Sequence, residues 1–193
     1  MTDVTDGRQQ DVVDLLLEQH NQIKSLFGQV EATQGALKRE LFEDLVRLLA
    51  VHESAEEEVV HPVARHIIEG GDQVVDSRLH EEHEAKQALS DLYDLGVDHP
   101  EFNTRLAALA QDVTAHATHE ETEEFGYLRR NVPADKLQRM AGALKAAEAT
   151  APTRPHPGAG ESATANLLAG PPIAVFDRIR DAVRSWSRSD GGV

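Results

Sequence analysis

Residues 52–62 read HESAEEEVVHP and residues 116–126 read HATHEETEEFG, so a His followed four residues later by a Glu occurs twice, 64 positions apart (52 to 116 and 56 to 120). What surrounds these pairs constrains the fold more than the pairs themselves do. At about 100° per residue, a helix gathers residues i, i+3, i+4 and i+7 on one face. With Leu45 as origin, Leu41, Leu48, Leu49, Val59 and Val63 form one apolar stripe, and His52 and Glu56 lie within about 20° of its centre. With Phe102 as origin, Leu106, Leu109 and Val113 mark another stripe, with Glu120 at its centre and His116 about 40° away. A carboxylate aimed into an apolar core costs several kcal/mol unless it is neutralised, paired or bound to a cation. Two of them facing one core call for positive charge. Lys86 is the clearest side chain to supply it, and a pair of bridged cations would supply it better.

The rest of the chain reads as helices that could enclose such a core. Val12, Leu15, Leu16, Ile23, Leu26, Phe27 and Val30 give residues 11–34 a stripe of their own. The second helix starts near Leu37 and runs through Val63, with a kink expected at Pro62, which lacks a backbone donor and crowds the preceding turn. After Gly70-Gly71 a third helix covers about 74–95, and His99-Pro100 opens a fourth that reaches about Arg130. A shorter helix is expected at 134–149. The expectation is an all-α protein: an up-down-up-down four-helix bundle over residues 11–149 with additional C-terminal helices, preceded by a flexible 1–10. Residues 150–172 contain APTRPHPGAGES and GPP, a linker composition. Within 173–193, Phe176, Ile179, Val183 and Trp186 line one side of an amphipathic segment. It suits a helix docked on the bundle, or one that meets a protein partner, a second copy or a membrane surface. Its shortness, and the dilution of its Arg by Asp177 and Asp181, favour docking.

Composition narrows the chemistry. There is no Cys, which excludes disulfides, zinc-thiolate sites, iron–sulfur clusters and thiol catalysis, so any metal must use N and O ligands. Residues 1–150 carry 14 basic and 30 acidic residues, a balance that repels a phosphate backbone and argues against nucleic acid as a partner. Neither a signal-type N-terminus nor a membrane-length apolar run is present, and a cytoplasmic location is expected.

The repeat extends to the other two helices. EQHNQIKSL at 18–26 parallels EEHEAKQAL at 81–89, with Leu six residues after each His, so His20 pairs with His83. Both lie off the centre of their stripes. Folding the bundle brings four His and two Glu toward one interior point, a set suited to two non-heme iron ions, with Zn or Mn also fitting by ligand type. On the third helix the wheel places Glu82 nearer the stripe centre than His83. His83 is preferred because His20 is off-centre in the same way. Glu124 and Tyr127 also fall on the fourth stripe and could line an access route. His61 points to the opposite side of the second helix, and His66, His99, His119 and His156 read as surface residues.

In these residues the chain resembles the hemerythrin-like, HHE cation-binding family over about residues 11–130. The resemblance rests on LLLEQHNQIKSLF, HESAEEEVVHP, EEHEAK and HATHEETEEF together. It implies a four-helix bundle with a di-iron centre that meets O₂, peroxide or nitric oxide, and His20, His52, Glu56, His83, His116 and Glu120 as its metal ligands. The RPHP segment, linker and terminal helix look like extensions seen on actinobacterial members. Oxygen carriers of the family have HxxxH on the third helix and HxxxxD on the fourth. Here Gln87 stands four residues after His83, and the fourth helix has HxxxE, so a fifth histidine is open: His80 could supply it, or Glu82, Glu84 or Glu53 could add a carboxylate.

The expected function is oxygen binding or detoxification of small oxidants, including catalase-like or nitric-oxide chemistry. The alternative is a module that senses iron or oxygen and signals through a partner. Ferritin-like iron oxidation needs ExxH on two helices, and the chain has one, Glu58 to His61, facing away from the stripe.

Overall fold

The computed structural model describes residues 10–150; the amphipathic segment expected at 173–193 and the linker from residue 151 onward lie outside the described residues, as do residues 1–9. The described chain runs α1 Val12–Ala32, α2 Gly35–Val59, α3 His61–Ile67, α4 Gly71–Leu95, α5 Phe102–His119, a π-helical segment Glu120–Phe125, α6 Gly126–Asn131 and α7 Ala134–Thr150. It is a helical bundle with no strand among the described residues. None of its helices is long and apolar enough to cross a membrane.

Local chemistry sets the ends of these elements. Asp11 caps α1 in a reciprocal box, its Oδ1 accepting from Asp14 N at 2.9 Å while Asp14 Oδ2 accepts from Asp11 N at 3.1 Å. Arg129 bridges to both carboxylates and ties the start of α1 to the end of α6. Gly70 has φ 70°, and a Cβ on Gly71 would meet the Arg65 carbonyl oxygen at 2.6 Å, so this turn requires glycine.

Two of the expected helices are interrupted. The kink expected at Pro62 is a break: α2 ends at Val59, and α3 begins at His61 with Pro62 in its first turn, where a missing N–H costs nothing. The fourth expected helix widens into the π-helical turn at Glu120 before resuming as α6.

Among the described residues the core has two large apolar plugs and a small cluster of Ala64, Ile68, Val75 and Leu79 between α3 and α4. One plug gathers Val12, Leu16, Ala55, Val60, Phe125, Leu128 and, from α7, Leu137, Met140 and Leu144. The other gathers Ile23, Phe27, Phe42, Leu45, Leu49, Leu89, Leu92, Phe102, Leu106 and Val113. On α1 the step from one plug to the other passes His20, on α2 it passes His52, and along α5 and the π-helical segment it passes His116 and Glu120. A buried polar layer is therefore sealed by hydrocarbon above and below.

Candidate metal centre

Six elements contribute to this layer: α1 His20, α2 His52 and Glu56, α3 His61, α4 Glu82, α5 His116, and the π-helical segment Glu120 and Glu124. None of the eight is more than 8% exposed. Glu120 lies at the middle, with Oε2 3.3 Å from His20 Nε2 and Oε1 3.3 Å from His116 Nε2. On one side, His52 Nε2 is 3.3 Å from Glu56 Oε2. On the other, His61 Nε2 is 2.6 Å from Glu82 Oε1 and its Nδ1 is 3.5 Å from Glu124 Oε2. Among the described residues, two sets of donor atoms close to within 4.8 Å and could each hold a metal ion: His20, His52, Glu56 and Glu120, and His61, Glu82 and Glu120. Glu120 belongs to both.

The π-helical turn has a local consequence. Such widened turns recur at functional sites because they re-aim side chains within a helix. Here the turn starts at Glu120 and carries both Glu120 and Glu124 into the interior, below His116 on the same continuous helix.

Three imidazoles are held from behind. Nδ1 of His20 lies 2.9 Å from Glu121 Oε1, that of His116 3.0 Å from Glu81 Oε2, and that of His52 2.8 Å from Gln19 Oε1. Each acceptor takes the hydrogen bond of Nδ1–H and leaves Nε2 pointing at the cluster, the nitrogen that a neutral ring would offer to a metal, as in the arrangement that fixes metal-binding histidines. His20 also stacks on Phe125 with ring centroids 5.6 Å apart.

The layer is incomplete as protein alone. Twelve buried side-chain N and O atoms among the described residues make no hydrogen bond, and ten of them sit on His20, Glu56, His61, Glu82, His116, Glu120 and Glu124; the other two are on Arg78. Buried polar groups are paired in the great majority of cases, so ten unpaired atoms converging on one volume mark where a further group belongs. Nitrogen and carboxylate donors without any thiolate fit divalent or trivalent iron, manganese or zinc.

Electrostatics shows the same shortage of positive charge. Burial, with Glu120 beside it, pushes Glu56 well above the usual carboxylate range. Burial works on Glu120 too, but His116 and His20 outweigh it and hold that carboxyl well below the usual value. His61 holds Glu82 low in the same manner. In return, His61 and His116 are raised well above an ordinary imidazole despite burial, by Glu82 and Glu124 and by Glu120 respectively. His52 goes the other way, to about 3, through burial and the neighbouring His20. Lys86 supplies one fixed cation at the edge of the layer, pairing with Glu57 and lying 3.6 Å from Glu82 and 3.9 Å from Glu53. Even so, burial leaves Glu57 near 7 and Glu53 near 8.

Of the seven residues picked from the sequence, the structure brings His20, His52, Glu56, His116 and Glu120 into this layer and leaves out two. His83 is half-buried and belongs to neither donor set, because its neighbour Glu82 takes the inward position on α4. His80 lies outside both donor sets, 73% exposed and facing Glu84 at 3.5 Å. The wheel had already put Glu82 nearer the stripe centre, and Glu124 lay on a stripe. Tyr127 is exposed, under the Arg130 guanidinium. His61 departs from expectation: a straight helix would aim it outward, but the break at Val60 resets the phase and buries it to 3% exposure. Pro62 was the one signal for this.

Fold and site together define a helical bundle with a buried histidine and carboxylate cluster able to hold metal ions. The profile of the hemerythrin HHE cation binding domain matches residues 11–128, more than half of the chain, which therefore belongs to that family. An uncharacterised hemerythrin-like protein of Schizosaccharomyces pombe is 22% identical over 91% of this chain and 87% of its own length. A Nostoc protein named DNA nickase is 28% identical over 77% of this chain, and the match spans only 42% of that protein. The crystal structure of an HHE cation binding domain-containing protein from Mycobacterium kansasii shares the fold, with a TM-score of 0.62 at 18% identity, over 72% of this chain and 86% of that one.

Proposed function

We propose that the buried layer holds two iron ions and that the chain uses them to bind or turn over a small oxidant: O₂, peroxide or nitric oxide. The observation that carries this is the convergence of ten unpaired buried donor atoms on two sets that share Glu120. His20, His52 and Glu56 would hold one ion, His61 and Glu82 the other with His116 and Glu124 at hand, and Glu120 would serve both. Bound there, the metals would supply redox electrons and an exchangeable position for the oxidant.

The protein's own part is preparation. Glu121, Gln19 and Glu81 orient three imidazoles, and the two apolar plugs keep bulk water away from the layer. A cavity of about 10 Å³ adjoins the layer, lined by His20, His52 and His116, by apolar side chains such as Leu49 and Val113, and by the polar Lys24, Glu53 and Thr114. That is room for about one water-sized molecule, far below the few hundred Å³ of a metabolite pocket. It supports a ligand of two or three atoms. The name of the Nostoc relative suggests DNA, but 30 acidic against 14 basic residues in 1–150 speak against extending that substrate to this chain.

Metal analysis and the ultraviolet-visible spectrum of the purified protein, beside His52→Ala and Glu120→Ala, test the proposal. About two irons per chain with oxo-bridge charge-transfer bands, lost in both variants, is the expected result. A protein that takes up no metal after anaerobic iron loading would overturn it.

A further inference from the structure

His52 is held differently from the other two oriented histidines. His20 and His116 meet carboxylates, Glu121 and Glu81, which can only accept a hydrogen bond when ionised. His52 meets the amide of Gln19, and an amide can present either its oxygen or its nitrogen. Left alone, Gln19 could turn over, offer an N–H to Nδ1, and push the imidazole proton onto Nε2. That nitrogen would then donate to Glu56, 3.3 Å away, in place of facing a metal as a lone pair.

One contact prevents the flip. Gln19 Nε2 donates to Glu148 Oε1 at 2.5 Å. A carboxylate on the far side of the amide fixes its nitrogen outward and hence its oxygen toward His52. Glu148 stands near the end of α7, which packs against both α1 and α2. That helix begins after residue 128, where the family match ends. We infer that Glu148 is a positioning residue for the proposed metal centre: through Gln19 it fixes His52 with the proton on Nδ1 and the bare Nε2 facing the cluster. This rests on the metal reading of the same layer. It adds that a helix outside the family segment completes the site.

The test uses the full chain, with ¹⁵N-labelled histidine and no metal, so that tautomers are read from two-bond nitrogen–proton correlations; the His52 signals are assigned by their loss in His52→Ala. The wild type should show His52 with its proton on Nδ1. Glu148→Ala should shift it toward Nε2, and Glu148→Leu, which keeps side-chain bulk but offers no acceptor, should do so without leaving a gap beside α7. Zinc or ferrous iron affinity, measured by chelator competition, should weaken by roughly 10- to 100-fold in both variants, the usual cost of losing an outer partner. Placing a carboxylate directly on Nδ1, as Gln19→Glu in the Glu148→Ala background, should restore both tautomer and affinity. An unchanged His52 tautomer in Glu148→Leu and Glu148→Ala, or no rescue by Gln19→Glu, overturns the inference. Tautomer shifts in the variants, with a wild type that binds no metal, would sink the metal reading and leave the control of His52 by Glu148 standing.

Discussion

The two halves of the repeat, α1–α2 and α4–α5, start from the same sequence pattern and end in different structures. In the first half both helices run unbroken past the polar layer, and His20, His52 and Glu56 sit where the apolar stripes put them. In the second half α5 gives way to a π-helical turn at Glu120, α4 presents Glu82 instead of His83, and the imidazole on that side comes from His61, beyond the break that ends α2. The difference teaches that spacing specifies a direction only while the helix keeps its phase. One break and one widened turn are enough to change which residues meet.

Glu120 is where the halves join, and its replacement should have the largest effect. Glu120→Ala should lower the metal content from about two ions per chain to less than one and abolish the metal-dependent rise in melting temperature. For a site loaded at 100 times its dissociation constant that rise is worth about 2.7 kcal/mol per ion. Retention of both ions would mean that the two donor sets do not share a carboxylate.

The next contrast separates the structure from the repeat. His61→Ala should lose one of the two ions, whereas His83→Ala should keep both, as read by metal analysis after gel filtration. The reverse outcome would restore the symmetric pattern and refute the asymmetry of the halves.

Acidity provides a subtler probe, because without metal the layer is held by protons. His61 and His116 have folded values above the unfolded 6.5, so the stability they contribute is full below that pH and is lost as pH rises through the folded values. Glu53, near 8, and Glu57, near 7, also bind protons in the folded state that the unfolded chain has released above about pH 4.5. His52, near 3, opposes these only below 6.5, and Glu82 and Glu120 lose their contribution only under acid conditions. The metal-free protein should therefore lose stability between pH 6.5 and 8, by at most about 1.4 kcal/mol per pH unit for each proton involved. Metal, taking the place of those protons, should flatten the slope. Denaturant melts at the two pH values, with and without metal, measure both. The smallest effect belongs to His80→Ala, on the exposed face of α4, which should change stability by no more than about 0.5 kcal/mol and leave metal content alone.

The residues themselves show how much was legible. Apolar periodicity alone gives a helical bundle, and the His and Glu caught in the middle of those stripes are found in its buried layer: His52, Glu56, His116 and Glu120, with His20 added by the repeat. Glu82 was legible from its angle on the helix, and the parallel between His20 and His83 argued the other way. His61 was misread because its angle was counted along a helix that does not continue. Glu148 carried no signal, since nothing in a sequence says which helix will lie against Gln19.

By itself, then, the sequence determined the class of fold and the kind of donor atom in its core, because hydrophobic burial and helical periodicity act locally and additively along each helix. Tertiary structure decided the partners: that Glu82 and not His83 faces inward, that His61 turns in after Val60, that Glu120 and Glu124 share a widened turn, and that Glu148 reaches Gln19. These depend on helix phase and on which helices touch, quantities set only when the whole bundle packs.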